Sequence, residues 1–554
     1  MEQASQPDRS NLPLTSASAR RGQDEGCWGP RIALATILLV TALLRLRLLA
    51  VPLERDEGEY AYLGQLILRG EVPYVAAHNM KLPGIYYAYA GILALFGETD
   101  AGIRLGLLLI NLASIILLYH LGRKLLDVTA GLSAAAAYAV LSLSQSVNGF
   151  AANAEHFVVL PMLGGVLLLA HRSDERRFTL IAGAGLLLGL AFVMKQHGAA
   201  FLVFGGLSVL IAGLARGRTL LRRTVADCVV FALASLAPFG LTCLGMYLAG
   251  AFEPFWFWTS TYAREYVSMI PLGLGLSELK RQVVYITGSS VALWLLAALG
   301  VTAPWWDVAS RRAGGFIGLF AICSFLAVCP GLQFREHYFL LLLPAASLFI
   351  GVAVSALARM TAARRPGLAA AVRLGVPLVA VVVSLAQEQA YLFSLSPIAV
   401  SRAVYGSNPF PEAVEIGRYL REHADPEDRV AVIGSEPQIY FYARRRAATS
   451  YLYTYPLMEP QPFARRMQED MIAQIERERP RFMVLVNVDA SWLMRPDSSQ
   501  LLLRWAERTV NETYEPVGIA EIVPGHDTVY RWDTAARDPQ PRSRFHVVIF
   551  QRRS

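Results

Sequence analysis

The chain has 554 residues, 54% of them hydrophobic and only 17% charged, and its mean hydropathy is +0.39. Soluble globular chains carry about 25% charge and about 45–50% apolar residues, so this composition excludes a single soluble enzyme, and it excludes a disordered chain. The net charge of +8 would suggest nucleic acid only if the basic residues shared one functional face, and their placement argues otherwise.

Residues 1–30 are polar and rich in Ser, Arg and Gln, and are expected to form a disordered cytoplasmic tail. The apolar run 32–53 is too long and begins too late for a signal peptide. Further runs near 101–121, 129–148, 155–171, 178–194, 198–215, 224–249, 286–303, 314–330, 337–358 and 374–393 bring the expectation to about eleven spans, since about 20 apolar residues cross a bilayer. The segment Pro83–Gly97 is apolar and aromatic but too short to span comfortably, and is expected to lie at the interface. The fold class is therefore a polytopic α-helical membrane protein over 31–395, with a C-terminal α/β domain over 408–554.

Charge sets the orientation. One set of short loops holds Arg123 and Lys124, Arg172, Arg176 and Arg177, Arg216 to Arg223, Arg311 and Arg312, and Arg359 to Arg373. The opposite short loops hold Lys195 and Arg335. The positive-inside rule makes the first set cytoplasmic, which places the C-terminal domain outside and turns the cationic excess into a topology signal. The five cysteines show no metal or disulfide spacing.

Two outer loops are long. The first, 54–100, carries Arg55-Asp56-Glu57 and His78-Asn79-Met80-Lys81. The second, 250–285, holds Trp256, Trp258, Tyr262 and Tyr266, expected to form an interfacial aromatic belt. In the outer domain, 429–434, 481–487, 517–523, 528–532 and 545–551 read as strands and 412–423, 463–479 and 501–508 as helices, an alternation typical of a small α/β fold. Arg444-Arg445-Arg446 reads as a solvated face. No glycine-rich nucleotide motif is present.

Asp56 and Glu57 follow the first span directly. They read either as solvated interfacial charges or as catalytic carboxylates, because a sugar hydroxyl is a poor nucleophile until a positioned base takes its proton. Lys81, Lys195, Arg335 and His337 oppose the positive-inside bias, and such cations at this depth suit a lipid phosphate. Asn153 and Glu155 stand at a span end, as helix-start groups or as a polar wall of the site. Arg45 and Arg47 lie inside the first span with no assigned role.

The motifs Arg55-Asp-Glu-Gly-Glu-Tyr-Ala61 and His78-Asn-Met-Lys-Leu-Pro-Gly-Ile-Tyr-Tyr87 resemble the first outer loop of GT-C integral-membrane glycosyltransferases, in the branch of protein O-mannosyltransferases and the lipid A aminoarabinose transferase. Asn153/Glu155, Lys195-Gln196 and Arg335-Glu-His-Tyr338 are similar to later motifs of bacterial members, and Arg429 to Tyr453 to the outer domain many of them append. The usual Lys-Pro-Pro is Lys81-Leu82-Pro83 here, a departure bearing on the sugar and the acceptor. The resemblance implies a polyprenyl-phosphate sugar donor in the cell membrane. It implies Asp56 as base, with Glu57 orienting it or the sugar, and Lys81, Lys195, Arg335 and His337 on the phosphate. Tyr60, His78, Asn153 and Glu155 then fall on the sugar or acceptor side. The acceptor is a glycan, lipid or protein hydroxyl, a divalent metal is left open, and no nucleic acid is expected. The rival readings are a lipid or glycan transporter, and a non-catalytic sensor that reads with its outer domain. No internal repeat of the kind transporters carry is visible, and a sensor would not need the carboxylate pair.

Overall fold

The computed structural model describes residues 28–171, 176–217, 221–537 and 540–553. The N-terminal tail before residue 28, with Cys27, Arg20 and Arg21, lies outside the described residues, as do Arg172 and Arg218.

Each expected span contains a helix, but the helices differ in length. Among the described residues eight are long and apolar enough to cross a membrane, and nine if the pair Leu272–Gly288 and Val291–Trp306, bent by 110°, counts as one span. Val128–Leu141 has only 14 residues, about 21 Å at 1.5 Å per residue, and Ala154–Ala170 has 17. Of the about eleven expected spans, those at 129–148 and 155–171 thus hold shorter helices, and the apolar run 129–148 turns out of its helix at Ser142. The segment 142–153 then runs as buried irregular chain, with Asn148 left-handed at φ 52°. Backbone carbonyls freed in an apolar interior need donors. Arg45 supplies them, donating to the carbonyls of Gly149 (3.0 Å) and Ser142 (2.9 Å). Arg47 does the same for Tyr391 (3.3 Å) and Leu395 (2.7 Å). The two arginines left without a role are therefore stitches between the first helix and broken backbone.

Leu343–Arg364 is the central helix, with 78% of its most apolar stretch buried, whereas Leu221–Leu248 is peripheral at 11% and turns Leu233, Leu241 and Leu248 outward. At the helix ends remote from 142–153, Arg359 pairs with Asp127 and Asp307 (2.7 Å each) and ties three helices together.

The C-terminal module is a six-stranded mixed sheet: β1 Arg429–Ile433, β2 Arg446–Ala447, β3 Phe482–Asn487, β4 Tyr514–Ile522, β5 Val529–Trp532 and β6 Phe545–Arg552. The order is β2-β1-β3-β6-β4-β5. β1 is parallel to β2 and β3, and the remaining pairs are antiparallel. Helices Phe410–His423, Ala464–Glu478 and Leu501–Thr513 flank it. β2 has two residues and carries no strand pattern. The reading of Arg444–Arg446 as a solvated face fails for Arg445, which is buried and donates to the carbonyls of Arg421 (3.0 Å) and Ala424 (2.6 Å). Arg446 pairs with Glu71 (2.9 Å) of the first long loop.

The module docks directly on that loop. Gly58 faces Gln438 so closely that an added Cβ would stand 2.5 Å from the Gln438 Cβ and 2.7 Å from its Cα. Since backbone cannot step aside, Gly58→Ala is expected to cost about 1–3 kcal/mol through overpacking. The checks are a lowered thermal midpoint and faster proteolysis between the two halves.

Candidate active site

Between the helical bundle and the module lies a cavity of about 730 Å³, within the usual size of small-molecule sites. The first loop builds its catalytic-looking corner. The helix Arg55–Leu68 starts at Glu54, whose carboxylate accepts from the amides of Asp56 (3.0 Å) and Glu57 (3.1 Å), while the Glu54 amide donates to Glu57 (3.3 Å). This capping box starts the helix at that point and so determines which way each carboxylate points. Residues three apart share a helix face and adjacent residues do not.

Asp56 and Glu59 consequently point together. Lys81 bridges them, 3.1 Å from Asp56 Oδ1 and 2.8 Å from Glu59 Oε2. Tyr453 of the module touches the same two oxygens, at 3.2 Å and 2.9 Å, and Tyr86 donates to Glu59 Oε1 (2.9 Å). Glu59 is fully buried, whereas the Asp56 side chain keeps 26% exposure, and Asp56 lines the cavity. Burial pushes both carboxyls up, but Lys81 overcomes this at Asp56 and holds it well below the ordinary carboxylate range. Glu59 stays above its ordinary value, burial outweighing Lys81. Carboxyls driven apart in this way take different roles, and Asp56, the one held low, is the one that lines the cavity.

Glu57 points elsewhere. It is fully buried, pairs with Arg104 through both oxygens (Nη2 to Oε2, 2.9 Å) and accepts from the Ala152 amide (2.6 Å). The role assigned to it beside Asp56 is corrected: Glu57 joins the loop helix to Asp100–Leu125 and to the irregular segment 142–153. Tyr60 also lies behind the site, fully buried, its ring 4.7 Å from Lys81 Nζ.

Lys195 and His337 line the cavity with Arg335 and Asn153. Lys195 is paired with Glu155, which is fully buried behind it, and His337 Nε2 is 4.0 Å from the same carboxylate. Glu155 is thus a counter-ion and does not form a wall of the cavity. Burial lowers His337 and favours its neutral form. Lys81 is neutralised by two carboxylates. Arg335 lines the cavity and has no carboxylate in ion-pair range among the described residues.

His78 lines the cavity, stacked on Trp258 with centroids 5.1 Å apart, its Nδ1 3.1 Å from Ser450 Oγ. Burial lowers it to about 4. Of the aromatic residues expected to form a belt over 250–285, Trp256 is 46% exposed. Trp258 and Tyr262 are buried and line the cavity with Tyr266, because the loop folds under the module and Tyr262 bonds to Glu459. Among the described residues no group of three His, Cys, Asp or Glu is placed to hold a metal ion.

Sequence reasoning missed Glu59 and Tyr453. Glu59 carried a usable signal, its i+3 spacing from Asp56. Tyr453, 397 residues from Asp56, carried none.

Residues 80–241 match the family model described as dolichyl-phosphate-mannose-protein mannosyltransferase. No curated protein matches the chain. Among solved structures, ArnT from Cupriavidus metallidurans bound to undecaprenyl phosphate is similar with a TM-score of 0.58 at 15% identity, over 95% of this chain and 98% of that one. The oligosaccharyltransferase of Archaeoglobus fulgidus in the apo form gives 0.50 at 13% identity, over 90% and 74%. The arabinofuranosyltransferase AftD from mycobacteria gives 0.51 at 15% identity, over 94% of this chain and 40% of that one. These are GT-C proteins, and the likeness assigns the fold: the chain is a multi-pass membrane protein of the GT-C type with a small C-terminal sheet module.

Proposed function

We propose that this chain of GT-C fold is an inverting glycosyltransferase that moves a sugar from a polyprenyl-phosphate donor to an acceptor hydroxyl at the outer face of the cell membrane. The observation that carries the reading is Asp56: one oxygen, Oδ1, is held by Lys81 and Tyr453, and the residue faces a cavity that also contains an uncompensated cation, Arg335. Undecaprenyl phosphate bound to the similar ArnT structure supports the donor class.

In this reading the donor phosphate sits against Arg335, with Lys195 beside it. Lys81 has a different task from the one expected, since its charge is consumed by Asp56 and Glu59. The acceptor oxygen forms its bond to the anomeric carbon as the carbon–oxygen bond to phosphate breaks. The phosphate leaves with the electron pair, and the acceptor proton passes to Asp56. A carboxylate of low pKa is a weak resting base, but the hydroxyl becomes acidic as its oxygen bonds to carbon, and the transfer is then downhill. The products are the glycosylated acceptor and polyprenyl phosphate. The same orientation places the N-terminus in the cytoplasm and the module outside.

The test uses the full chain in proteoliposomes with radiolabelled polyprenyl-phosphate sugars and a membrane extract as acceptor source. Transfer of label with release of polyprenyl phosphate is expected. A transporter would move the donor uncleaved, and that result would sink the proposal. In the same assay Arg335→Gln is expected to raise the KM for donor about tenfold or more, the scale of one charge-assisted hydrogen bond, with a smaller change in kcat.

A further inference from the structure

The C-terminal module clasps one turn of the first-loop helix at four successive contacts. Arg55 Nε donates to the Ser435 carbonyl (2.5 Å), and its Nη2 reaches Asn408 Oδ1 (3.0 Å) and Glu436 Oε1 (2.6 Å). The guanidinium also stacks between Phe410 and Tyr455, 5.3 Å from each ring centre. Gly58 lies against the Gln438 backbone. Tyr453 then reaches past residue 55, touching its carbonyl (3.2 Å), to Asp56 Oδ1 and Glu59 Oε2. No other cavity-facing residue of the module touches either carboxylate among the described hydrogen bonds.

From this geometry we propose that the module is a working part of the active site, with Tyr453 as a positioning residue that pins one oxygen of Asp56 and leaves the other for the acceptor. This rests on the glycosyltransferase reading above. The phenol is suited to the task. Burial, with Glu59 and Asp56 beside it, raises its pKa well above the ordinary value, so it remains a donor at any working pH. Its ring is buried and stacks on Tyr455 with planes 7° apart and centroids at 5.6 Å, so the hydroxyl has a defined position. Lys81 alone cannot do this, because a flexible ammonium shared by two carboxylates can swing toward either one. The Tyr453 hydroxyl, held by its buried ring within reach of both oxygens, restricts that swing. Small displacements of a reacting group cost rate far more than affinity.

The experiment compares Tyr453→Phe with Tyr442→Phe in the full chain. Tyr442 is also a module tyrosine that bonds across to the membrane half, accepting from the Leu53 amide (2.9 Å) and donating to Asp100 (2.8 Å), but it touches neither Asp56 nor Glu59. Tyr453→Phe is expected to lower kcat about tenfold to hundredfold, with KM for donor within about twofold and a thermal midpoint near that of the wild type. Tyr442→Phe is expected to lower the midpoint and leave kcat per folded protein unchanged. If Tyr453→Phe behaves as Tyr442→Phe does, or keeps the wild-type kcat, the positioning role is overturned and the contact is structural. The two levels separate cleanly. Wild-type transfer abolished by Asp56→Asn but untouched by Tyr453→Phe removes this inference alone. Absence of transfer in the wild type removes the glycosyltransferase reading, and this inference with it.

Discussion

Asp56→Asn is expected to slow sugar transfer by about 10²- to 10⁴-fold, the contribution of a positioned base. The substitution is nearly isosteric, and an amide oxygen still accepts from Lys81 and Tyr453, so the pinned side of the residue is retained. What is lost is the oxygen facing the acceptor, replaced by an amide that donates and cannot take a proton. Donor affinity should therefore change little, because Arg335 and Lys195 lie elsewhere on the cavity wall. The kinetic signature is a fall in kcat with KM for donor nearly constant, measured as initial rates on one donor at saturating acceptor. Wild-type kcat in this variant would end the assignment. The pH dependence has a definite sign. The Asp56 carboxyl is held well below its ordinary value, about 3.9 in an unfolded chain. Its ionised form and the stabilisation from Lys81 are then present throughout pH 5–8. They are lost only as pH falls through the folded-state value.

The second large effect concerns Glu57, the residue most easily mistaken for a catalyst. Removing one partner of a buried ion pair leaves an uncompensated charge, at about 3–5 kcal/mol. Arg104→Met should impose that cost, because Glu57 is fully buried and Arg104 nearly so. The expected outcome is a strongly lowered thermal midpoint or poor recovery of folded protein. The paired replacement Glu57→Gln/Arg104→Gln should recover much of that stability, since no buried charge then remains. If Glu57 acted on substrate, the double variant would be folded and inactive. The expectation is a folded protein that retains a substantial share of wild-type kcat.

The contrast between Glu57 and Glu59 shows how far the sequence could be read. Neighbouring acidic residues after a span attract attention by adjacency, yet a helix separates adjacent side chains by about 100°. Asp56-Glu-Gly-Glu59 therefore divides into a pair that shares Lys81, of which Asp56 lines the cavity, and Glu57, which is turned away to Arg104. The phase is set by the Glu54 cap, which the sequence contained without marking. The aromatic residues of 250–285 illustrate a different limit. Their amphipathic rings suit a membrane interface and a sugar cavity equally, and only the module folded over the loop decides for Trp258 and Tyr262. Lys81, Lys195 and Arg335 look alike as cations on the wrong side of a charge bias. Glu59 and Glu155, distant in the chain, neutralise two of them and leave the third.

The sequence by itself determined what local physics determines: that the chain crosses a membrane many times, where its apolar helices lie, and that an α/β module follows them. Apolar runs and short-period patterns act over one helix or strand, so they are legible without neighbours. The tertiary structure alone decided which charges are paired, which aromatic rings are buried and which carboxylate faces the cavity. Those outcomes depend on contacts such as Tyr453 with Asp56, made between residues whose separation along the chain leaves no periodic trace.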